Sequence, residues 1–237
     1  MAETGPPQQG GVSQGGLEGS VPSSNRPWDA RLSARLVAPL KNTRVSPNCL
    51  TTLRLIVGLA AAAALAKGTY PGSNAGALLM VVSNFLDHAD GELARLSGKS
   101  SRFGHLYDLL SDALVTIILF VAMGTGMRAR PGMPFDIPPI ALGGLAGGAV
   151  ALIFYLRMRI ETLAGKAATR QASFAGFETE DILYLMPLVT LCDAVPPLLI
   201  ASAVCAPLYA FWVVVDYRRV LRRTRLLPGR RLPEWAK

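Results

Sequence analysis

Apolar residues are concentrated in long runs that begin after position 48 of the 237-residue chain. Four runs cover residues 49–66, 75–86, 105–126 and 137–156, and a longer block covers residues 182–215. A helix needs about 20 apolar residues to cross a bilayer. Because a proline pair cannot continue a helix, we expect Asp193, Pro196 and Pro197 to form a tight turn that divides the block. The pattern therefore predicts an all-α integral membrane protein with six transmembrane helices.

Two further segments precede the first run. Residues 1–25 are rich in Gly, Pro, Gln and Ser, so they cannot bury enough apolar surface to fold and are predicted to be a disordered tail. In residues 26–48, hydrophobic side chains recur every three or four positions between basic ones. This pattern is typical of an amphipathic helix in the headgroup plane. The alternative is a soluble helix that packs against a partner.

The charge distribution predicts which side of the membrane each segment faces. The chain has 24 Lys and Arg against 16 Asp and Glu. Most basic residues precede the first span, lie in the second-to-third and fourth-to-fifth connections, or follow the last span, whereas Lys67, Arg128 and Arg130 lie opposite. Because cytoplasmic loops are enriched in Lys and Arg, both termini are predicted to be cytoplasmic. The membrane domain is expected to cover residues 49–217, followed by a basic cytoplasmic tail at 218–237 that binds anionic lipid rather than nucleic acid.

Four aspartates lie beside the apolar runs, on the side predicted to be cytoplasmic. Asp87 and Asp90 are three positions apart, and Asp108 and Asp112 are four apart, so each pair shares one face of a helix. A short loop containing Gly98 joins the two helices, which we expect to be antiparallel neighbours whose acids converge. Converging carboxylates repel unless they are protonated or a cation neutralises them. An oxygen-only set favours Mg²⁺ or Mn²⁺ over zinc, and such ions commonly serve phosphate chemistry.

The residues around these acids suit a bulky phosphate ligand. Gly91 and Gly104 have no side chain where a ligand would approach the helix backbone, and Ala94 adds only a methyl group to the same face. Arg95 supplies a planar fork suited to phosphate. Two alternative interpretations of the acids remain open. They are solvated loop charges, or they line the ion path of a cation- or proton-coupled transporter.

The spacing of these residues resembles a known signature. The pattern Asp87-x-x-Asp90-Gly91-x-x-Ala94-Arg95, followed by Gly104-x-x-x-Asp108-x-x-x-Asp112, is similar to that of the CDP-alcohol phosphotransferases, also called CDP-alcohol phosphatidyltransferases. All eight defined positions match. The six-span layout with an N-terminal interfacial helix is also similar, so the resemblance extends from about Arg26 to Arg223.

The resemblance implies a reaction and a role for each residue. Family members cleave a CDP-linked donor, pass its phosphoryl-bearing half to an alcohol and release CMP. By position, Asp87, Asp90 and Asp108 would bind two Mg²⁺ or Mn²⁺ ions. Asp112 would be the general base and would also contact one ion. The implied nucleotide-binding residues are Asp90, Gly91, Ala94, Arg95 and Gly104, together with Pro47, Asn48 and Thr51 of a Pro-Asn-x-x-Thr element.

The acceptor is less defined by the sequence. The residues expected near an anionic acceptor are His105, Arg157, Arg159, Lys166 and Arg170. The basic ones are also explained by membrane topology and contact with anionic lipid. The alcohol expected from the family is glycerol phosphate, inositol phosphate, inositol or serine.

These observations predict a multi-pass enzyme of phospholipid biosynthesis in the cytoplasmic membrane, with its active site on the cytoplasmic side. The expected donor is CDP-diacylglycerol. A soluble CDP-alcohol donor with a lipid acceptor uses the same signature and stays open, as do a transporter and an inactive scaffold. The family also implies a possible homodimer.

Overall fold

The computed structural model describes residues 28–43, 45–99, 101–128, 137–164 and 184–226. Within these ranges the side chains of residues 28–31, 102, 225 and 226 are left undescribed. The tail predicted at residues 1–25, the acceptor candidates Lys166 and Arg170, and the last part of the basic tail lie outside the described residues.

Every regular element in the described ranges is helical, which confirms the all-α prediction for them. The elements are α1 (Trp28–Val37), a 3₁₀ turn (Ala38–Asn42), α2 (Pro47–Ala66), α3 (Tyr70–Ser97), α4 (Arg102–Gly126), α5 (Pro139–Ala164), α6 (Met186–Leu191) and α7 (Val195–Leu226).

Four of the described helices are long and apolar enough to cross a membrane: α2, α4, α5 and α7. Helix α3 has 28 residues, but its C-terminal half carries Asp87, Asp90, Glu92 and Arg95, which lower its hydropathy. The chain is therefore a helical protein of membrane-spanning type, and the six-span count stays a prediction.

Helix α2 occupies the position between the two halves of the aspartate pattern. It packs extensively against both α3 and α4, whereas α3 and α4 make almost no direct contact with each other. The two helices that were expected to be antiparallel neighbours therefore approach each other through their aspartates without packing along their lengths. A small residue of α2 lies where both helices approach it: a Cβ on Gly58 would come within 2.7 Å of Val115 Cγ1 on α4 and 3.2 Å of Ser83 Oγ on α3.

The connection between α3 and α4 is short, as the sequence predicts. Gly98 ends α3 with a left-handed φ of 64°, a backbone conformation that favours glycine. Ser101 is the N-cap of α4, and its Oγ accepts a 2.9 Å hydrogen bond from Gly104 N. Lys99 Nζ donates to the carbonyl oxygen of Thr43 at 3.0 Å. These contacts fix the point at which α4 departs from α3.

The N-terminal helix is shorter than the segment predicted at residues 26–48. Helix α1 ends at Val37 and a 3₁₀ turn follows. Val37 and Leu40 pack against Ala89 and Leu93 of α3, whereas Leu32 and Leu36 are exposed. One part of the expected apolar stripe therefore covers α3. The interfacial position of this helix stays a prediction.

The proline pair begins a helix rather than forming the turn. The chain turns at 192–194, where Asp193 has a φ of 51°, and α7 starts at Val195. Pro196 and Pro197 therefore lie in the first turn of α7, where a missing N–H removes no intrahelical bond. Helix α7 continues to Leu226, so the first residues of the predicted basic tail are helical.

Candidate metal and nucleotide site

Three aspartates from two helices converge beside α2. Asp87 and Asp90 lie on α3 and Asp108 lies on α4, and one carboxylate oxygen of each lies within 4.8 Å of the others. Asp90 is only 5% exposed. The expected convergence of carboxylates is thus confirmed for these three, and we call them the aspartate trio.

Arg54 of α2 connects the trio to the fourth aspartate. Its side chain is buried, with an exposed fraction of 4% for the residue. Nη1 donates to Asp87 Oδ1 at 2.6 Å and to Asp108 Oδ1 at 2.9 Å, and Nη2 forms an ion pair with Asp112. With all four carboxylates ionised and one guanidinium among them, the group has a net charge of −3. A single arginine therefore leaves most of the negative charge available to neutralise further cations.

Thr51 fixes Asp90 from the same helix. Its Oγ1 donates a 2.7 Å hydrogen bond to Asp90 Oδ2. Thr51 and Arg54 are three positions apart, so they share one face of α2. One face of α2 therefore holds carboxylates from both neighbouring helices, and the predicted Pro-Asn-x-x-Thr element is continuous with the aspartate trio.

The first turn of α2 lies against the start of α4. A Cβ on Gly104 would come within 2.9 Å of Asn48 Oδ1, so Asn48 and Gly104 are in close contact. Pro47 is buried at the N-terminus of α2. Two residues of the expected nucleotide set, Asn48 and Gly104, are thus brought together by α2 and α4.

The other part of the expected nucleotide set lies on α3. Within the part of the chain that the structure describes, a Cβ added to Gly91 meets only Arg95 Nη2, at 3.8 Å, so these residues leave open space beside this glycine. Arg95 is largely exposed; its Nη2 lies 3.1 Å from Glu92 Oε1 and its Nε donates to the carbonyl oxygen of Gly91 at 3.3 Å. Ala94 is half-buried. A small-residue surface with a guanidinium at its edge suits a phosphate-bearing ligand.

The donor set of the trio fits Mg²⁺ or Mn²⁺. Mg²⁺ binds oxygen at 2.0–2.1 Å in octahedral geometry, so ligands of one ion lie at most about 4.2 Å apart. The trio oxygens, which lie within 4.8 Å of one another, are close to that spacing. Carboxylates without a cysteine or histidine among them favour such hard cations over zinc.

The acceptor candidates are spread over the described helices. His105 is exposed on α4, one turn before Asp108. Arg157 on α5 donates to the Tyr209 hydroxyl on α7, and its Cζ lies 5.5 Å from the centre of that ring. The Cζ of Arg159 lies 5.8 Å from the Tyr155 ring. The structure thus places Arg157 of α5 against Tyr209 of α7.

Arg54 is the site residue that the sequence analysis missed. Counting basic residues assigns it only to membrane topology. Its signal in the sequence is its position: it lies within an apolar run, three residues after Thr51. A charged residue inside a predicted span is a candidate for a functional site with a partner of opposite charge.

Comparison with known proteins adds a family and a fold. The family model for CDP-alcohol phosphatidyltransferase matches residues 44–215. An archaetidylinositol phosphate synthase from Aeropyrum pernix is 28% identical over 197 residues, which cover 81% of this chain and 91% of that protein.

Two crystal structures of a phosphatidylinositol phosphate synthase from Mycobacterium tuberculosis have a similar fold. The structure with CDP-DAG bound has a TM-score of 0.55 at 21% identity, and the match covers 86% of this chain and 99% of that one. The structure in complex with manganese and citrate has a TM-score of 0.53 at 20% identity, with coverage of 86% and 93%.

Proposed function

The chain belongs to the CDP-alcohol phosphatidyltransferase family, and from this premise we propose that it transfers a phosphatidyl group from CDP-diacylglycerol to a polar alcohol and releases CMP. The reaction class, a transferase of substituted phosphate groups that works in phospholipid biosynthesis with Mg²⁺ or Mn²⁺, follows from the family and its relatives. The donor, the acceptor and the roles of individual residues are the proposal.

The observation that carries this proposal is the convergence of Asp87, Asp90 and Asp108 next to Asp112 and Arg54. Asp87, Asp90 and Asp108 would hold two divalent ions. When bound, such ions neutralise the charge that develops on phosphoryl oxygens and on the leaving group. Gly91, Gly104, Asn48 and Arg95 lie on surfaces that can hold the cytidine nucleotide beside them, as the open space at Gly91 supports.

Asp112 is proposed as the general base. It lies outside the compact trio yet is tied to it through Arg54, so its carboxylate is held at the edge of the metal ligands. In the proposed step, the alcohol oxygen forms a bond to the phosphorus that carries the diacylglycerol, and the bond from that phosphorus to the oxygen of CMP breaks. Asp112 takes the alcohol proton, as a base within hydrogen-bond reach is required to do.

The acceptor proposed first is an inositol phosphate. Two of the relatives are named as synthases of archaetidylinositol phosphate and phosphatidylinositol phosphate, and the structure of the latter with CDP-DAG bound supports a CDP-linked lipid as the donor. Arg157 and Arg159 on α5 supply positive charge for a phosphorylated alcohol. We also infer that the site faces the cytoplasm, since most Lys and Arg flank that end of the helices.

The test is a reconstitution assay with purified protein, labelled CDP-diacylglycerol and a panel of alcohols, in which CMP and the lipid product are both identified. We expect product only with Mg²⁺ or Mn²⁺. We also expect a higher rate with inositol phosphate than with glycerol phosphate, inositol or serine. Asp112→Asn should abolish CMP release, whereas Asp216→Asn on α7, a matched carboxylate outside the site, should not. Turnover retained in Asp112→Asn removes Asp112 from the role of base.

Two other outcomes would redirect the assignment. Turnover of a soluble CDP-alcohol onto a lipid, with none from CDP-diacylglycerol, would exchange the donor and acceptor roles. Ion flux in proteoliposomes without CMP production would contradict the enzyme and favour a transporter.

A further inference from the structure

Arg54 is a buried cation on a helix that is long and apolar enough to span a membrane. The backbone at this position is itself fixed, because Ser83 Oγ of α3 donates a 3.1 Å hydrogen bond to the carbonyl oxygen of Arg54. From this point the side chain contacts Asp87 on α3 and both Asp108 and Asp112 on α4. Arg54 therefore joins two helices that scarcely touch each other.

The surroundings of Arg54 argue that it keeps these contacts when a metal binds. A guanidinium has five N–H donors and no acceptor, and an unpaired charge in a buried, apolar setting carries a large desolvation cost. Displacing the buried Arg54 side chain from three carboxylates would leave it in that state. Each carboxylate, in contrast, has two oxygens and about four lone-pair sites, so it can accept from Arg54 and bind a cation at once.

We propose that Arg54 is a positioning residue: it holds one oxygen of Asp87, Asp108 and Asp112 and thereby orients these carboxylates for divalent ions, remaining in place in the loaded site. The inference rests on the proposed metal-dependent function. It assigns Arg54 an action through the aspartates rather than on the substrate.

The proposal predicts a change in metal affinity opposite in direction to the one that simple electrostatics predicts. Replacing Arg54 by a neutral residue makes the carboxylate group more negative by one charge, which by itself strengthens cation binding. Loss of the shared orientation weakens it, because residues that orient metal ligands typically contribute about 10–100-fold to metal affinity. The direction of the change therefore separates a positioning residue from a counter-charge that the metal replaces.

The experiment measures Mn²⁺ binding directly, without substrate, on purified full-length protein in detergent. We expect Arg54→Gln to weaken Mn²⁺ binding about 10–100-fold. Arg54→Lys keeps the charge but loses the planar fork, so it should also bind more weakly than the unmodified protein. Arg219→Gln, at an exposed position on α7, is the matched control and should bind normally. Unchanged or tighter binding in Arg54→Gln or Arg54→Lys overturns the proposal.

A second measurement needs no variant and covers the case in which Arg54→Gln fails to fold. Hydrogen–deuterium exchange of the unmodified protein is compared with and without Mn²⁺. If Arg54 remains in place, peptides of α2, α3 and α4 around the site become protected together. Loss of protection in the α2 peptide on Mn²⁺ binding contradicts the proposal.

The two hypotheses fail in different ways. If the unmodified protein binds Mn²⁺ and releases CMP while the Arg54 variants bind as tightly, the positioning role is wrong and the proposed function stands. If the unmodified protein neither binds Mn²⁺ nor releases CMP from any donor, the proposed function fails and the inference fails with it.

Discussion

The Thr51 hydroxyl on α2 donates a 2.7 Å hydrogen bond to Oδ2 of Asp90 on α3. Both residues are buried, with exposed fractions of 3% and 5%. A carboxylate that is removed from water needs such a partner, because an unsatisfied buried acceptor is costly. The bond therefore links the Pro-Asn-x-x-Thr element directly to one of the proposed metal ligands.

Replacing Thr51 by valine tests this link, since valine has nearly the same shape and cannot donate a hydrogen bond. Thr51→Val should lower the free energy of unfolding by about 1–3 kcal/mol and reduce CMP release. Thr51→Ser keeps the hydroxyl and is the matched control. Thermal unfolding in detergent and the CMP assay check both effects. Equal stability and turnover in the valine and serine variants would contradict a role for the bond.

Gly91 predicts a variant in which stability and activity change in opposite directions. Among the described residues outside the helix's own backbone, a Cβ at this position clashes with nothing, because the nearest atom is Arg95 Nη2 at 3.8 Å. Gly91→Ala should therefore stabilise α3 by about 0.5–1 kcal/mol, as expected for glycine replaced inside a helix. If the open space holds the nucleotide, the added methyl group should raise KM for the CDP donor about tenfold or more, equivalent to about 1.4 kcal/mol.

The control for this variant is Gly148→Ala on α5, where a Cβ meets no described residue within 4 Å. It should stabilise the protein without changing KM. Thermal melting curves measure the stability of both variants, and titrations of the CDP donor measure their KM. An unchanged KM in Gly91→Ala would place the nucleotide elsewhere.

The local features of the site were accessible from the sequence. Spacings of three and four place Asp87 with Asp90 and Asp108 with Asp112 on shared faces, because an α-helix repeats every 3.6 residues. Gly98 predicts the end of α3, since its left-handed conformation favours glycine. The choice of a hard cation follows from ligand chemistry alone.

The long-range packing was not accessible. Which helix lies between α3 and α4 depends on close contacts such as Gly58 with Val115, and hydrophobic periodicity does not specify partners. Arg54 was missed for the same reason, because its role exists only once α2 is placed beside both acidic helices. The predicted turn is present at 192–194, but Pro196 and Pro197 lie just after it, because proline both terminates helices and fits their first turn.

Removal of metal should abolish activity reversibly. Dialysis against EDTA is expected to stop CMP release, and Mg²⁺ or Mn²⁺ should restore it. Ca²⁺ should restore little, because it prefers 6–8 oxygen ligands at about 2.3–2.6 Å in a flexible geometry, whereas Mg²⁺ takes a near-octahedral shell at 2.0–2.1 Å. Circular dichroism before and after EDTA verifies that the helices persist. Full turnover in EDTA would exclude the metal-dependent mechanism for this chain.

A substitution of Arg157 tests how the acceptor alcohol is bound. Its guanidinium contacts the Tyr209 hydroxyl and lies over that ring, so the aromatic side chain holds it between α5 and α7. If Arg157 binds the phosphate of the acceptor, Arg157→Gln should raise KM for inositol phosphate about tenfold or more, as loss of a charge-assisted hydrogen bond worth about 1.5–3 kcal/mol implies. KM for the CDP donor should stay unchanged.

The comparison that decides the role of Arg157 uses pairs of acceptors that differ by a phosphate, such as inositol phosphate and inositol. Arg157→Gln should affect only the phosphorylated member, because removing the cation leaves hydroxyl recognition intact. Arg128→Gln, an exposed arginine just after α4, is the matched control and should change neither value. Tyr209→Phe keeps the ring but removes the hydroxyl, so it should have a smaller effect than Arg157→Gln. A similar change in KM for both acceptors would show that Arg157 supports the packing of α5 and α7 instead of binding the phosphate.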